Sequence, residues 1–291
     1  MPYSHYGNIG DIWKHLPLCE FLKTEKPSQY IETNSASPIY SITQDPKIEY
    51  GVYTYIERVD RFKILKNAVY TKLIRKVNHN KESLQRYLGS PGLVMTYLKE
   101  LPESYIFFDI EKEPLNKILK FATKKNLQGK VEIYQQDSII GSLKLLPQLN
   151  DRAFIHFDPY YAFEKGDDDI SYFDVFLEAS MRGLKCMLWY CFFTQNEREE
   201  IYSKIRSSLK EKALKGNGID IEGTEISLEI IKKDTIPINP GVLGCGILIS
   251  NLSKKSHRIM ELYSKELVKL YVGSTVFGEY PGDLVRNRLS L

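Results

Sequence analysis

Ala153-Phe154-Ile155-His156-Phe157-Asp158-Pro159-Tyr160-Tyr161 is a mostly apolar run of strand length that ends in an acid, a proline and two tyrosines. An apolar run closed by a turn signal reads as a buried, parallel strand. In open parallel sheets the ligand crevice lies beyond the carboxyl ends of the strands. Asp158 is expected at such an end, with Pro159 fixing the turn and leaving its own carbonyl free. Tyr160 or Tyr161 adds a flat face beside the carboxylate. Together these suit a planar group that bears an amine. A strand followed by an ordinary Asp-Pro turn with two surface tyrosines accounts for the same letters.

Outward from this strand the chain alternates. Residues 29–33, 105–109, 131–135 and 185–193 read as further strands, with helices expected at 93–101, 114–125, 143–146 and 170–181. Residues 16–23 look like the buried end of a first helix, and 196–215 is helical and basic. The tail changes register: 224–231 and 246–251 read as antiparallel strands joined by a Pro/Gly-rich loop, before a last helix at 256–271. Strands alternating with helices and closed by an antiparallel pair predict a doubly wound α/β sheet. Residues 41–90 interrupt the alternation with helical spacing at 53–65 and 66–77, then a break at Asn78-His79-Asn80. Between Arg61 and Arg86 eight Lys/Arg stand against one acid, Glu82. That bias suits a phosphate-binding surface or a solvated helix face.

Composition narrows the class. The 291 residues are 43% hydrophobic and 26% charged, as in an ordinary globular protein. A net charge of +3 is too small to imply nucleic acid without local clustering. Cys19, Cys186, Cys191 and Cys245 form no C-x-x-C pair, which argues against a zinc site or a disulfide framework and fits a reducing compartment. No signal-type segment opens the chain, and the densest apolar run, 187–193, is too short to span a bilayer. A cytoplasmic protein without metal or membrane attachment is expected.

Glu32, Asp109 and Asp158 fall at the ends of candidate strands, and Asp137 follows another. Acids so placed line one sheet edge, where a nucleoside lies, and a carboxylate accepts two ribose hydroxyls at once. Any one of them also suits a helix cap. Asn34-Ser35-Ala36-Ser37-Pro38, after the first strand, lacks the glycines that usually permit close backbone approach. At the start, His5-Tyr6-Gly7-Asn8-Ile9-Gly10-Asp11-Ile12-Trp13-Lys14-His15 is rich in functional side chains. Lys14 suits a carboxylate partner, and Asn8 or Asp11 suits a cap of the helix that follows.

These residues carry a resemblance to the bacterial RlmJ family of S-adenosylmethionine-dependent methyltransferases, which act on the exocyclic amine of an adenine in large-subunit ribosomal RNA. The N-terminal block is similar to that family's H-A-G-N-x-A-D-V-x-K-H, and 31–40 to its L-D-T-H-A-G-A-G-x-Y. Tyr87-Leu88-Gly89-Ser90-Pro91 matches Y-x-G-S-P, Asp158-Pro159-Tyr160-Tyr161 resembles D-P-P-Y, and Leu188-Trp189-Tyr190 resembles L-W-Y. Gly241, Gly246 and Asn251 look like its closing G-x-x-x-x-G…N. Two departures stand out: Ala36 and Pro38 replace loop glycines, and Tyr160 replaces the second proline of D-P-P-Y.

The resemblance implies a Rossmann-like class I methyltransferase sheet of seven strands, ordered 3-2-1-4-5-7-6, in a domain of residues 1–40 and 91–291, with a small helical insertion at 41–90. It implies S-adenosylmethionine as cofactor, RNA as partner and a monomer. Asp158 and the Pro159 carbonyl would accept hydrogen bonds from the target amine, and Tyr161 would stack on the base. Asp109 would take the cofactor ribose, Asp137 its adenine edge, and Lys14 and Ser90 its methionine end. Glu32, Asn34, Ser138 and Asp158 itself complete the implied cofactor set, and His5, Tyr6, Asn8 and Tyr160 join Tyr161 in the substrate set. The departures leave two other readings open: a non-catalytic RNA-binding protein on this fold, or a methyltransferase for a small-molecule or protein amine.

Overall fold

A computed structural model describes residues 6–42, 45–79, 83–166, 168–214, 220–232 and 241–291. Among them eight strands form one sheet: β1 (Gln29–Thr33), β2 (Ser104–Asp109), β3 (Val131–Gln135), β4 (Ala153–Phe157), β5 (Lys185–Phe192), β6 (Ile221–Leu228), β7 (Gly244–Ser250) and β8 (Leu284–Leu289). Their order is β3-β2-β1-β4-β5-β7-β6-β8. Strands β1 to β5 run parallel, and β7, β6 and β8 pair antiparallel. The expected seven-strand order is present, and an eighth strand adds to its edge. That strand carries no alternating pattern: Leu284 and Leu289 are buried at its ends, with only partly buried or exposed residues between them. By contrast β4 is buried throughout, as befits a parallel strand covered on both faces.

The strand order reverses between β1 and β4, which places a ligand crevice there. Thr33 pairs with Phe157 and Glu32 with Phe107. Continuing those registers sets Asn34, Asp158 and Asp109 level at the carboxyl edge. Glu32 lies two residues further in, so the expected acids do not stand in one row.

Helix α1 (Ile9–Glu25) packs against the insertion and against the last long helix of the chain. The insertion is bracketed by a short antiparallel pair, Tyr40–Ser41 with Arg86–Tyr87. The two continuous helices expected within it are broken into short pieces, Thr54–Arg58, Lys63–Lys66 and α2 (Val69–Val77) among them. Gly51 leaves helical geometry (φ −77, ψ −112), and extended Phe62 (φ −115, ψ 90) separates two further turns. The expected break holds at Asn78, whose amide donates to the Ile74 and Arg86 carbonyls and accepts from the Gln85 and Arg86 N–H groups. Asn80 lies outside the described residues. One core cluster runs from the sheet into the insertion, where the Tyr271 hydroxyl donates to the Gly51 carbonyl at 2.8 Å.

The remaining helices are α3 (Ser90–Leu98), α4 (Lys112–Lys124), α5 (Ser138–Leu145), α6 (Tyr172–Met181), α7 (Gln195–Leu214) and α8 (Lys254–Tyr271). No helix among the described residues is long and apolar enough to cross a membrane.

Candidate active site

The start of α1 is built by two reciprocal contacts. Asn8 caps the helix by accepting from the Asp11 N–H at 3.0 Å, and Asp11 accepts from the Gly7 N–H at 2.7 Å. Both residues that suited a cap are therefore used in capping. One turn on, Lys14 Nζ lies 3.0 Å from Asp11 and donates to both Asp158 oxygens, at 3.0 and 2.7 Å. The same ammonium stands 5.0 Å from the centre of the Trp189 ring on β5. Burial alone would lower the Lys14 pKa, but Asp158 and Asp11 outweigh it and hold the ammonium charged. For Asp158 the order is reversed: burial pushes the carboxyl above the usual aspartate range, and Lys14 offsets only part of that. The expected carboxylate partner of Lys14 thus includes the protein's own Asp158.

The turn after β1 is held by side chains rather than by its own glycines. The Asn34 amide donates to the Tyr172 hydroxyl at 2.9 Å, and Ser138 Oγ lies 2.8 Å from the same hydroxyl. Close backbone approach is supplied from the other side. A Cβ at Gly89 would overlap the Ser37 carbonyl, and one at Gly92 the Pro38 carbonyl. The close approach is thus made by glycines of the partner segment, and neither Ala36 nor Pro38 adopts a positive φ.

Below the turn, Glu32 is fully buried and both its oxygens are taken, by Ser90 Oγ at 2.5 Å and by the Tyr30 hydroxyl at 2.6 Å. Glu32, expected in the cofactor set, is buried here and braces Ser90. Asp109 ends β2 and accepts from the Glu111 N–H at 2.8 Å. Asp137 caps α5, its Oδ1 accepting from the Ile139 and Ile140 N–H groups. The cap reading and the cavity reading hold for Asp137 together.

These groups surround one cavity of about 410 Å3 at the carboxyl edge of the sheet. Tyr6, Asn8, Lys14, Asn34, Ser90, Asp109, Asp137, Ser138, Asp158 and Tyr160 all line it. Pro159 is buried in the turn behind Asp158. Tyr161 stands outside, 56% exposed over an adjacent hollow with Phe163 and Phe193. Its ring meets Tyr160 edge-on at 4.7 Å, so Tyr160 is the aromatic that faces the cavity. His5 lies outside the described residues.

Sequence reasoning assigned no role to His15, Tyr172 or Trp189, which also line the cavity. Only their places beside Lys14 and within the L-W-Y motif flagged the first and third; Tyr172 left no signal. Burial, with Lys14 and His156 adding to it, holds the His15 pKa well below the usual imidazole range. Its Nδ1 meets the Tyr87 hydroxyl at 2.9 Å, and its buried Nε2 has no partner among the described residues.

The donor set fits a nucleoside that carries an amino acid. The volume lies within the ~300–1,000 Å3 usual for small-molecule sites. Acids flank one end at β2 and β3, hydroxyls of Ser90 and Ser138 line the wall, and the unpartnered His15 nitrogen offers a further polar contact. No group of His, Cys, Asp and Glu able to hold a metal ion occurs among the described residues.

Residues 25–221, more than half of the chain, match the family model described as "Ribosomal RNA large subunit methyltransferase D, RlmJ". The chain belongs to the RlmJ family. A Haemophilus influenzae relative, "Ribosomal RNA large subunit methyltransferase J", is 26% identical over 228 residues, covering 72% of this chain and 76% of that protein. A crystal structure of a Legionella pneumophila protein superposes with a TM-score of 0.74 at 21% identity, covering 98% of this chain and 97% of that one. That similarity shows a shared fold over nearly the whole chain, including the residues on either side of 25–221. An O-methyltransferase from Bacillus cereus in complex with SAH is far more remote, at a TM-score of 0.40 and 9% identity over 83% of this chain and 80% of that one, and nothing rests on it.

Proposed function

We propose that this RlmJ-family chain transfers a methyl group from S-adenosylmethionine to the exocyclic amine of an adenine in ribosomal RNA. The observation that carries the proposal is Asp158, which follows β4 and faces a cavity lined also by Lys14, Ser90, Asp109 and Ser138. Family membership and the name of the Haemophilus relative support the substrate class.

In this reading Asp109 and Asp137 hold the nucleoside part of the cofactor, and Ser90, His15 and Lys14 face its amino-acid end. When bound, the cofactor supplies an electrophilic methyl on a sulfonium. Asp158 and the Pro159 carbonyl accept hydrogen bonds from the target amine, turning its lone pair toward that methyl. The carboxylate also stabilises the positive charge that grows on nitrogen. Lys14 takes one lone pair on each Asp158 oxygen and opposes the effect of burial on its ionisation. A carboxylate has about four lone-pair sites, so acceptor capacity remains for the amine. The adenine must leave its stack to reach the turn. Residues 41–90 then act as an RNA-contacting insertion, and the protein works in the compartment that holds ribosomal RNA.

The test is transfer of labelled methyl to unmodified ribosomal RNA, followed by nucleoside analysis, for the parent and Asp158→Asn. The variant keeps shape and hydrogen-bonding reach but loses the charge, so cofactor affinity should persist while the rate falls about a hundredfold or more. Equal rates in parent and variant would reduce Asp158 to a turn residue and defeat this mechanism. No cofactor binding at millimolar concentration would instead favour the non-catalytic RNA-binding reading.

A further inference from the structure

A second hollow, of about 570 Å3, lies between the insertion, the Tyr40–Ser41 and Arg86–Tyr87 strands, and helix α4. Its cations converge from three separate elements: Lys76 from α2, Arg86 from the short strand, and Lys124 and Lys125 from the end of α4. Leu88 and Phe121 are among its apolar walls, and among the described residues neither Asp nor Glu lines it.

A solvated helix face does not look like this. Some basic residues nearby are paired: Lys66 and Arg75 share Asp60, and Lys117 meets Glu113. Lys76, Arg86, Lys124 and Lys125 have no ion-pair partner among the described residues. Lys125 Nζ lies 5.3 Å from the centre of the Phe121 ring. Burial lowers its pKa, and Lys76 and Lys99 lower it further, as like charges gathered without a counter-anion must. The basic bias of residues 61–86 is therefore not uniform: Lys66 and Arg75 pair with Asp60, Arg61, Lys63 and Lys72 are exposed elsewhere, and Lys76 and Arg86, joined by two lysines outside the insertion, face a hollow.

The hollow and the cofactor cavity share Tyr40, which lines both. Tyr6 stacks on Tyr40 with ring centres 4.4 Å apart and planes 13° from parallel. We propose that this hollow holds the phosphodiester backbone of the RNA that presents the target base, with the Tyr6–Tyr40 stack separating the phosphate groove from the chemistry. The proposal rests on the RNA-methyltransferase reading for the identity of the partner and deepens it by giving the strand a path. Four unneutralised cations over apolar walls match a polyanion with intervening sugar surface. Phosphate contacts of this kind position a substrate without reading its sequence.

The experiment compares two triple variants that remove the same charge. Lys76→Gln/Lys124→Gln/Lys125→Gln empties the groove; Arg61→Gln/Lys63→Gln/Lys72→Gln removes exposed charge from the insertion outside it. Affinity for in-vitro-transcribed, unmodified ribosomal RNA is measured against salt. Losing three phosphate contacts should flatten the log–log salt slope by about 2, at ~0.7 per contact on single-stranded RNA. The control should keep the parental slope. The groove variant should also show KM for RNA raised about tenfold with kcat at saturating RNA and cofactor affinity retained. Should the triple variant melt early, Lys76→Gln and Lys124→Gln singly, both at exposed positions, give the same comparison at smaller amplitude. An unchanged slope in the groove variant, or an equal loss in the control, overturns the proposal. A parent that binds RNA with a groove-dependent slope yet transfers no methyl leaves the groove standing and defeats the catalytic reading instead.

Discussion

Lys14 illustrates how one side chain serves the fold and the chemistry together. Its ammonium sits between Asp11, which caps its own helix, and Asp158, which ends a strand 144 residues away. Side-chain exposures of 9% and 11% make this a buried pair, and breaking such a pair typically costs about 3–5 kcal/mol. Lys14→Met should therefore destabilise the protein, with a distinctive pH dependence. Burial already raises the Asp158 pKa, and without Lys14 it rises further. A carboxyl whose folded pKa exceeds its unfolded one binds more protons when folded, so stability falls as pH rises through that window. The variant should regain part of the lost stability on acidification, as denaturant melts at several pH values will show. The acid limb of its kcat/KM profile should also move to higher pH. An unshifted limb would mean that Asp158 need not be ionised. Outside the cavity, over the adjacent hollow, Tyr161→Ala should raise KM for RNA by the ~1–3 kcal/mol of one base stack. Cofactor affinity should not change, because Tyr161 lies outside the cavity; calorimetry with the cofactor checks this.

At the scale of elements, the informative contact is between the loop after β1 and the start of α3. Gly92 lies inside that helix, where Gly→Ala ordinarily gains about 0.5–1 kcal/mol. Here a Cβ would meet the Pro38 carbonyl, and the loop would have to move. Gly92→Ala should therefore destabilise, by about 1–3 kcal/mol as for other overpacking changes. It should weaken cofactor binding too, since Ser37 and Ser90 line the same wall. Thermal melting and a binding titration check the sign, and a stabilised variant would show that the loop yields freely. The insertion makes the opposite point about legibility. Apolar spacing over 53–77 announced helices; extended Phe62 breaks the first of them, while the second survives as the nine residues of α2, packed against α1.

For the whole molecule, β8 turns an edge into an interior. It pairs antiparallel with all of 223–228 on β6 and seats Leu289 against Gly223. Removing 284–291 would strip the partner from β6 and leave its N–H and C=O groups unpaired along a newly exposed edge. The truncated chain should melt earlier and self-associate in proportion to concentration, as light scattering will show; a monomeric product with unchanged melting would make the strand dispensable. None of residues 284–291 lines the cavity, so activity should be lost only with the fold.

What the sequence by itself determined was the alternation of strands and helices, the parallel run through β4 and most of the residues that gather at its carboxyl edge. Buried parallel strands leave a continuous apolar record, and groups at strand ends sit beside turn signals, so both are written locally. Tertiary structure alone decided that Glu32 lies beneath the cavity, that Lys14 is shared by Asp11 and Asp158, that Tyr160 rather than Tyr161 faces inward, and that Gly89 and Gly92 supply the closeness the first loop lacks. Each of these depends on strand register or on a contact between distant segments. Such contacts are set by how the layers pack, and no neighbouring residue records them.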